Sequence, residues 1–177
     1  NVFDNEGVRY AEPYMKIMGI EAVRSSTPSA CRETIKKSMK VIMERGEDDI
    51  IEFIANFKGD FFQMDPADTS FPRTVNGLNK YKCSDRLYKK GTPIHVKGSL
   101  IFNNMLKELK LENSYESIKE GDKIKFTYLK EPNPTGDKVI AFTNSIPKEF
   151  DLEKYIDYEM QFEKSYLDPI KTALDVL

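Results

Sequence analysis

The sequence predicts an α+β fold, and three observations lead to it. Strand-like alternation of apolar and polar residues occurs at the beginning of the chain and again around Lys123 to Thr143. Apolar residues at helical spacing fill the stretches between and after these. The two kinds of segment do not alternate regularly, as a doubly wound parallel sheet would require. The expected architecture is mainly helical, with a β-hairpin or small antiparallel sheet.

Taken in order, Val2 to Tyr10 alternates about Asn5-Glu6-Gly7 and predicts a strand, a tight turn and a second strand. Met15 to Ile20 is a further short apolar run. These strands have too few partners to form a sheet of their own, so they look like the cut edge of a larger domain. A helix follows, with Thr27 as its cap and Pro28 at the first helical position. Cys31, Ile35, Met39 and Ile42 share one face, Arg32, Lys36 and Lys40 another, and Gly46 ends it. A second helix is expected from Asp48 to about Phe62, burying Ile50, Ile54, Phe57 and Phe61, with acids in its first turn where the helix dipole favours them.

Asp65 to Thr74, with Pro66 and Pro72, predicts a loop, and Thr74 to Pro93 is basic, polar and without clear periodicity. A third helix is expected from about Val96 to Lys110, with Ile101, Met105 and Leu109 in register. Lys123 to Leu129 and Val139 to Thr143 predict two strands joined by the turn-rich Pro132 to Asp137. From Leu152 onward the pattern is helical, with Tyr155, Tyr158, Met160, Phe162 and Tyr166 on the apolar side, and Pro169 is expected to separate a last helix.

With 40% apolar and 32% charged residues, the composition is that of an ordinary globular protein. No apolar run approaches a membrane span and no secretory leader opens the chain, so Cys31 and Cys83 read as reduced thiols in a cytoplasm. The formal net charge of −2 hides a segregated distribution. Between Arg24 and Arg45 the cations Arg24, Arg32, Lys36, Lys37, Lys40 and Arg45 meet only Glu33 and Glu44. Between Lys80 and Lys97 the cations are interrupted only by Asp85, while acids gather at Glu47 to Asp49 and along Glu149 to Asp175. Such segregation can present one cationic face to a phosphate backbone.

A search for catalytic chemistry finds little. The single His95 and two well-separated cysteines cannot form an ordinary structural zinc site. Gly136-Asp137-Lys138 lacks the spacing of a phosphate loop and reads as a hairpin turn. No local pattern places two carboxylates to share a divalent cation, so no catalytic or metal residue is expected. Anion-binding signals are better: Arg24, Ser25, Ser26 and Thr27 precede a helix N-terminus, and His95, Lys97 and Gly98 stand at the start of another. Gly98 would allow a close backbone approach there.

Several motifs then share one order with a known family. Asn1-Val2-Phe3-Asp4, Glu6-Gly7, Arg9-Tyr10-Ala11-Glu12-Pro13, Lys16 to Glu21 and Ser25-Ser26-Thr27-Pro28 closely resemble the palm-to-thumb junction of family B DNA polymerases of the T-even-type bacteriophage branch. Lys80-Tyr81, Ile94 to Gly98, Asn133-Pro134, Gly136-Asp137-Lys138 and Phe162 to Pro169 continue the resemblance in sequence. The resemblance implies the end of a palm domain in residues 1–22 and a duplex-binding thumb in residues 23–177. It implies a C-terminal fragment that grips primer–template DNA during phage replication in the bacterial cytoplasm. The catalytic aspartates, and the Mg2+ of the parent polymerase, would lie upstream. A clamp-binding C-terminal peptide of the family has no counterpart here. The DNA-binding set is then Arg24, Ser25, Ser26, Thr27, Lys80, Lys82, His95, Lys97, Gly98 and Lys138. Lys97 departs from the family's arginine, keeping charge but losing bidentate geometry, and Cys83 to Thr92 matches poorly. The alternatives are a freestanding nucleic-acid-binding module and a small hydrolase using His95 with a cysteine.

Overall fold

The computed structural model describes residues 25–176, and across them the fold is α+β. The strands expected in Val2 to Tyr10, the run Met15 to Ile20, Arg24 and the domain division after residue 22 lie outside the described residues. Two apolar cores organise the rest, one between helices and one between a sheet and a helix.

The helical core begins with α1 (Ser29–Glu44). Pro28 occupies the N-cap position instead of the first turn, and Thr27 precedes it, buried. Cys31, Ile35 and Met39 are buried and Ile42 packs against them, as the spacing predicts. Gly46 has φ 114°, a conformation costly for any side chain, and it both ends α1 and caps α2 (Glu47–Phe61). Glu47, Asp48 and Asp49 fill the first turn of α2. Its Phe57 and Phe61 meet the C-terminal helix edge-on, Phe57 to Tyr166 at 4.8 Å and Phe61 to Phe162 at 5.3 Å. That helix comprises α6 (Tyr158–Phe162), a π turn (Glu163–Leu167) and α7 (Asp168–Val176) without a break. Pro169 therefore does not separate two helices as expected. A proline clashes with the carbonyl four residues earlier, and the wider π turn directly before it accommodates the ring.

The second core is a three-stranded antiparallel sheet in the order β1 (Phe71–Thr74), β2 (Lys123–Tyr128), β3 (Val139–Phe142). The β2–β3 hairpin stands where the sequence puts it. The expected loop from Asp65 to Thr74 is instead α3 (Pro66–Thr69) followed by β1. Asp65 accepts a bond from the Ala67 amide at 2.8 Å and Pro66 leads the turn, which is the ordinary start of a helix. Pro72 is tolerated because, among the described residues, β1 is an edge strand with a neighbour on one side only. The unassigned stretch after it contains the single helical turn α4 (Leu78–Tyr81).

Helix α5 (Ile94–Glu108) crosses the sheet over β3 and β2. It starts two residues earlier than expected, so His95, Lys97 and Gly98 lie inside its first turns instead of ahead of it. It also ends earlier: Leu109 is 43% exposed, not part of the buried face. Lys110 turns left-handed at φ 57°, and Leu111 folds back onto the core in its place. Gly98 is the closest approach between helix and sheet. A Cβ there would stand 2.9 Å from the Ala141 amide nitrogen and 3.2 Å from the Ala141 Cβ.

The two cores are joined through Gln161, whose side chain is fully buried. Its Oε1 accepts the Tyr128 amide at 2.9 Å, and its Nε2 donates to the Thr69 carbonyl at 2.7 Å. Tyr158 adds a hydroxyl bond to the Met64 carbonyl at 2.8 Å, and the Asp157 amide donates to the Tyr128 carbonyl at 2.9 Å.

Two substitutions test this packing by denaturant unfolding. Gly98→Ala is expected to destabilise by about 1–3 kcal/mol through overpacking, although alanine in an open helix would stabilise by about 1 kcal/mol. Gln161→Leu strands two buried backbone groups and is expected to cost on the order of 3 kcal/mol; wild-type stability in that variant would contradict the bridging role.

Candidate nucleic-acid interface

An open cleft of about 670 Å3 lies where the two layers adjoin. The turn before α1 contributes Ser25 and Ser26, the edge strand Pro72, Arg73 and Thr74, the start of α5 Pro93, Ile94 and His95, and the start of β2 Lys123 and Ile124. Among the described residues its lining holds three basic side chains and no carboxylate. The position of each follows from local structure. Antiparallel pairing sets Arg73 opposite Ile124 and Thr74 opposite Lys123, which brings both cations to one end of the sheet. Arg32 Nη2 donates to the Ser25 carbonyl at 3.0 Å and fixes the serine turn against α1.

The start of α5 adds its own polarity. Pro93 at the N-cap offers no side-chain bond, and the first turn carries no acid. The first intrahelical bond there is Lys97 N–H to the Pro93 carbonyl, 2.9 Å, so the earlier amides have no acceptor within the helix. Amide hydrogens and the positive end of the helix dipole thus face the same opening as Arg73, His95 and Lys123. Burial first, and the Arg73 guanidinium second, hold the His95 imidazole below its ordinary value of 6.5, so it is neutral at pH 7. Arg73 also acts on Tyr128, partly countering the burial that raises the phenol.

Of the residues singled out in the sequence, Ser25, Ser26 and His95 meet in this cleft, so the beginning of one basic stretch adjoins the end of the other. Lys80, Lys82 and Lys138 are exposed outside its lining. The Lys80 ammonium stands 5.2 Å from the Tyr81 ring, and Lys97, half-buried, stands 4.9 Å over the Tyr88 ring. Lys82 borders a separate cleft of about 550 Å3 together with Arg86 and Lys107. Thr27 is buried, and Gly98 is buried with its open side against β3. The close approach that Gly98 permits is to the protein's own sheet, so it offers no surface to a ligand. Arg73 and Lys123 were missed in the sequence. Arg73 sat in an apparent loop, and only the β1–β2 register sets it beside Lys123.

The cysteines do not make a nucleophilic pair with His95. Cys31 is buried, donates to Ser165 Oγ at 3.4 Å, and burial pushes its thiol up to about 11. Cys83 donates to Asp85 Oδ1 at 2.7 Å. Both are free thiols. Among the described residues no group of three or more His, Cys, Asp or Glu side chains is placed to hold a metal ion, and no helix is long and apolar enough to cross a membrane.

An α+β module whose described cleft residues are cationic and free of acids, at a helix start without a side-chain cap, has the chemistry that anion-binding surfaces share. Sequence comparison then gives the lineage. Over 96% of its length the chain is 34% identical, across 182 aligned residues, to the DNA-directed DNA polymerase of Enterobacteria phage T4. Over 97% of its length it is 32% identical, across 176 residues, to the DNA-directed DNA polymerase of Escherichia phage RB69. It spans 19% of the length of each of these relatives. No protein-family model matches the chain. The chain is therefore similar, over a segment, to the DNA polymerases of these two phages, as its motifs imply.

His95 is the only histidine in the sequence, so its imidazole proton resonances can be followed without assignment ambiguity. A titration midpoint below 6.5 is expected, rising in Arg73→Ala; a midpoint at or above 6.5 in the wild type would contradict the burial and charge described.

Proposed function

We propose that this chain is the duplex-gripping thumb, with the end of the palm, of a family B phage DNA polymerase. In this reading it binds primer–template DNA behind an active site contributed by other parts of a longer protein. The observation that carries the reading is the cleft itself. Two serines, Arg73, Lys123 and neutral His95 line one cleft with the start of α5, and no carboxylate is among its described lining residues. The similarity to two named DNA polymerases supports the identity of the polyanion.

Phosphate oxygens would be met by Ser25, Ser26, Arg73, Lys123 and the first amides of α5. A neutral imidazole can donate one hydrogen bond without the desolvation cost of a buried cation. Lys97, Lys80, Lys82 and Lys138 would continue the contact over neighbouring phosphates. Such contacts position a duplex without reading its sequence, as a polymerase that copies any template needs. The resemblance implies that the catalytic aspartates, and the Mg2+ they would hold, belong to another part of the parent enzyme, so the segment by itself is expected to bind without polymerising. Clamp binding by the parent and action in the host cytoplasm belong to the same proposal.

Salt titration of a labelled primer–template duplex tests it. Neutralising about four phosphates gives a slope of log affinity against log salt near −3.6, and removing one contacting cation reduces its magnitude by about 0.9. Arg73→Ala and Lys123→Ala are each expected to produce that change. Salt-independent binding, or binding unaffected by both variants, would overturn the assignment of this cleft.

A further inference from the structure

Tyr88 lies in the irregular chain between α4 and α5, in the stretch that matches the family least. Its surroundings are nonetheless densely bonded. The Lys97 ammonium stands 4.9 Å over its ring. Its hydroxyl donates to Asp137 Oδ2 in the β2–β3 connection, and the other oxygen of that carboxylate accepts the Lys138 amide at 2.7 Å. Asn133 pins the same connection, its Nδ2 donating to the Lys130 and Asp137 carbonyls at 2.8 and 2.7 Å. On the near side, the Lys89 amide donates to the Tyr81 carbonyl at 2.9 Å, closing the segment around Tyr88. Burial, then Asp137, push the phenol up to about 12, so at neutral pH it is a standing donor.

Among the described residues Lys97 has no carboxylate partner: the ion pairs Lys36–Glu33, Lys58–Glu159 and Lys154–Asp151 involve other residues, and its described interaction is with the ring. A cation resting on a π face keeps its full charge for a phosphate, whereas one paired with a carboxylate does not. A lysine stem already held in place also has less rotational freedom to lose on binding. We propose that Tyr88 is a positioning residue for the nucleic-acid contact through its ring, which presents the Lys97 ammonium, while its hydroxyl ties the β2–β3 connection to the α4–α5 segment and contributes to stability alone. This rests on the duplex-gripping reading above and adds to it a residue that touches no DNA itself.

The test is a double-mutant cycle in duplex affinity, with unfolding measured alongside. Tyr88→Leu is expected to weaken primer–template binding about two- to fivefold, the equivalent of one exposed cation–π contact. In a Lys97→Ala background the same substitution is expected to change affinity no further. Tyr88→Phe keeps the ring and loses the Asp137 bond, so it is expected to retain affinity while losing stability. Equal losses from Tyr88→Leu in both backgrounds would mean a purely structural role and overturn the proposal, as would unchanged affinity in Tyr88→Leu or in Lys97→Ala. Should Tyr88→Leu not fold, the Lys97 Hε proton shifts decide: an upfield ring-current shift in the wild type and in Tyr88→Phe supports the placement, and ordinary shifts overturn it. Absence of duplex binding by the wild type removes the thumb reading and this proposal together, whereas wild-type binding with a flat cycle removes only the role of Tyr88.

Discussion

The buried amide of Gln161 is the point on which the arrangement turns. The β1–β2 pairing stops at Phe71 and Phe126, and beyond it the Tyr128 N–H of β2 and the Thr69 C=O at the end of α3 are taken up by one side chain from the C-terminal helix. Each such group left unpaired in the interior would cost about 1–3 kcal/mol. Together with the Tyr158–Met64 and Asp157–Tyr128 bonds, this residue ties the helical layer of α1, α2 and α6 to the layer of sheet and α5. The cleft depends on that junction. Ser25 and Ser26 belong to the α1 side, whereas Arg73, Lys123 and His95 belong to the sheet side. Were the layers free to slide, hydroxyls and cations would not share one opening.

Charge is placed by the same economy of elements. An edge strand of four residues supplies Arg73, the first residue of the neighbouring strand supplies Lys123, and the first turn of α5 supplies His95 and open amides. Gly98 lets α5 sit close enough to β3 to hold its N-terminus at the end of the sheet. The acids lie elsewhere: Glu47 to Asp49 complement the dipole of α2, and Glu33, Glu159 and Asp151 are engaged in exposed pairs with lysines. Exposed pairs of that kind contribute at most about 1 kcal/mol, so their effect is on where positive potential remains more than on stability. Beyond the cleft, the aromatic faces of Tyr81 and Tyr88 carry Lys80 and Lys97 without neutralising them.

The helices and the β2–β3 hairpin were legible because burial on one face imposes a period on the sequence. Cys31, Ile35 and Met39, or Ile101 and Met105, repeat at the interval that one helical face requires. Lys123 to Tyr128 alternates because β2 has one face under α5. What failed were places where a neighbour overrides a local signal. Pro72 resembles a loop until a strand pairs with it on one side only, Pro169 resembles a break until a π turn precedes it, and Leu109 loses its burial to Leu111 because Lys110 turns left-handed. Gly98 is the clearest reversal. A glycine beside a basic cluster looks like room for a phosphate backbone, but the room is occupied by β3.

By itself the sequence determined the fold class, the positions of the long helices and the hairpin, and the kinship with phage DNA polymerases, because periodicity and ordered motifs are properties of the chain read along its length. Tertiary structure decided which of the basic residues act together. Arg73 and Lys123 are separated by about fifty positions in sequence and come to one end of the sheet only through antiparallel register, while Ser25 joins their cleft through the packing of the two layers that Gln161 helps to hold. Electrostatic potential adds over space and not over sequence, so a cationic site exists only once the fold has set its distances.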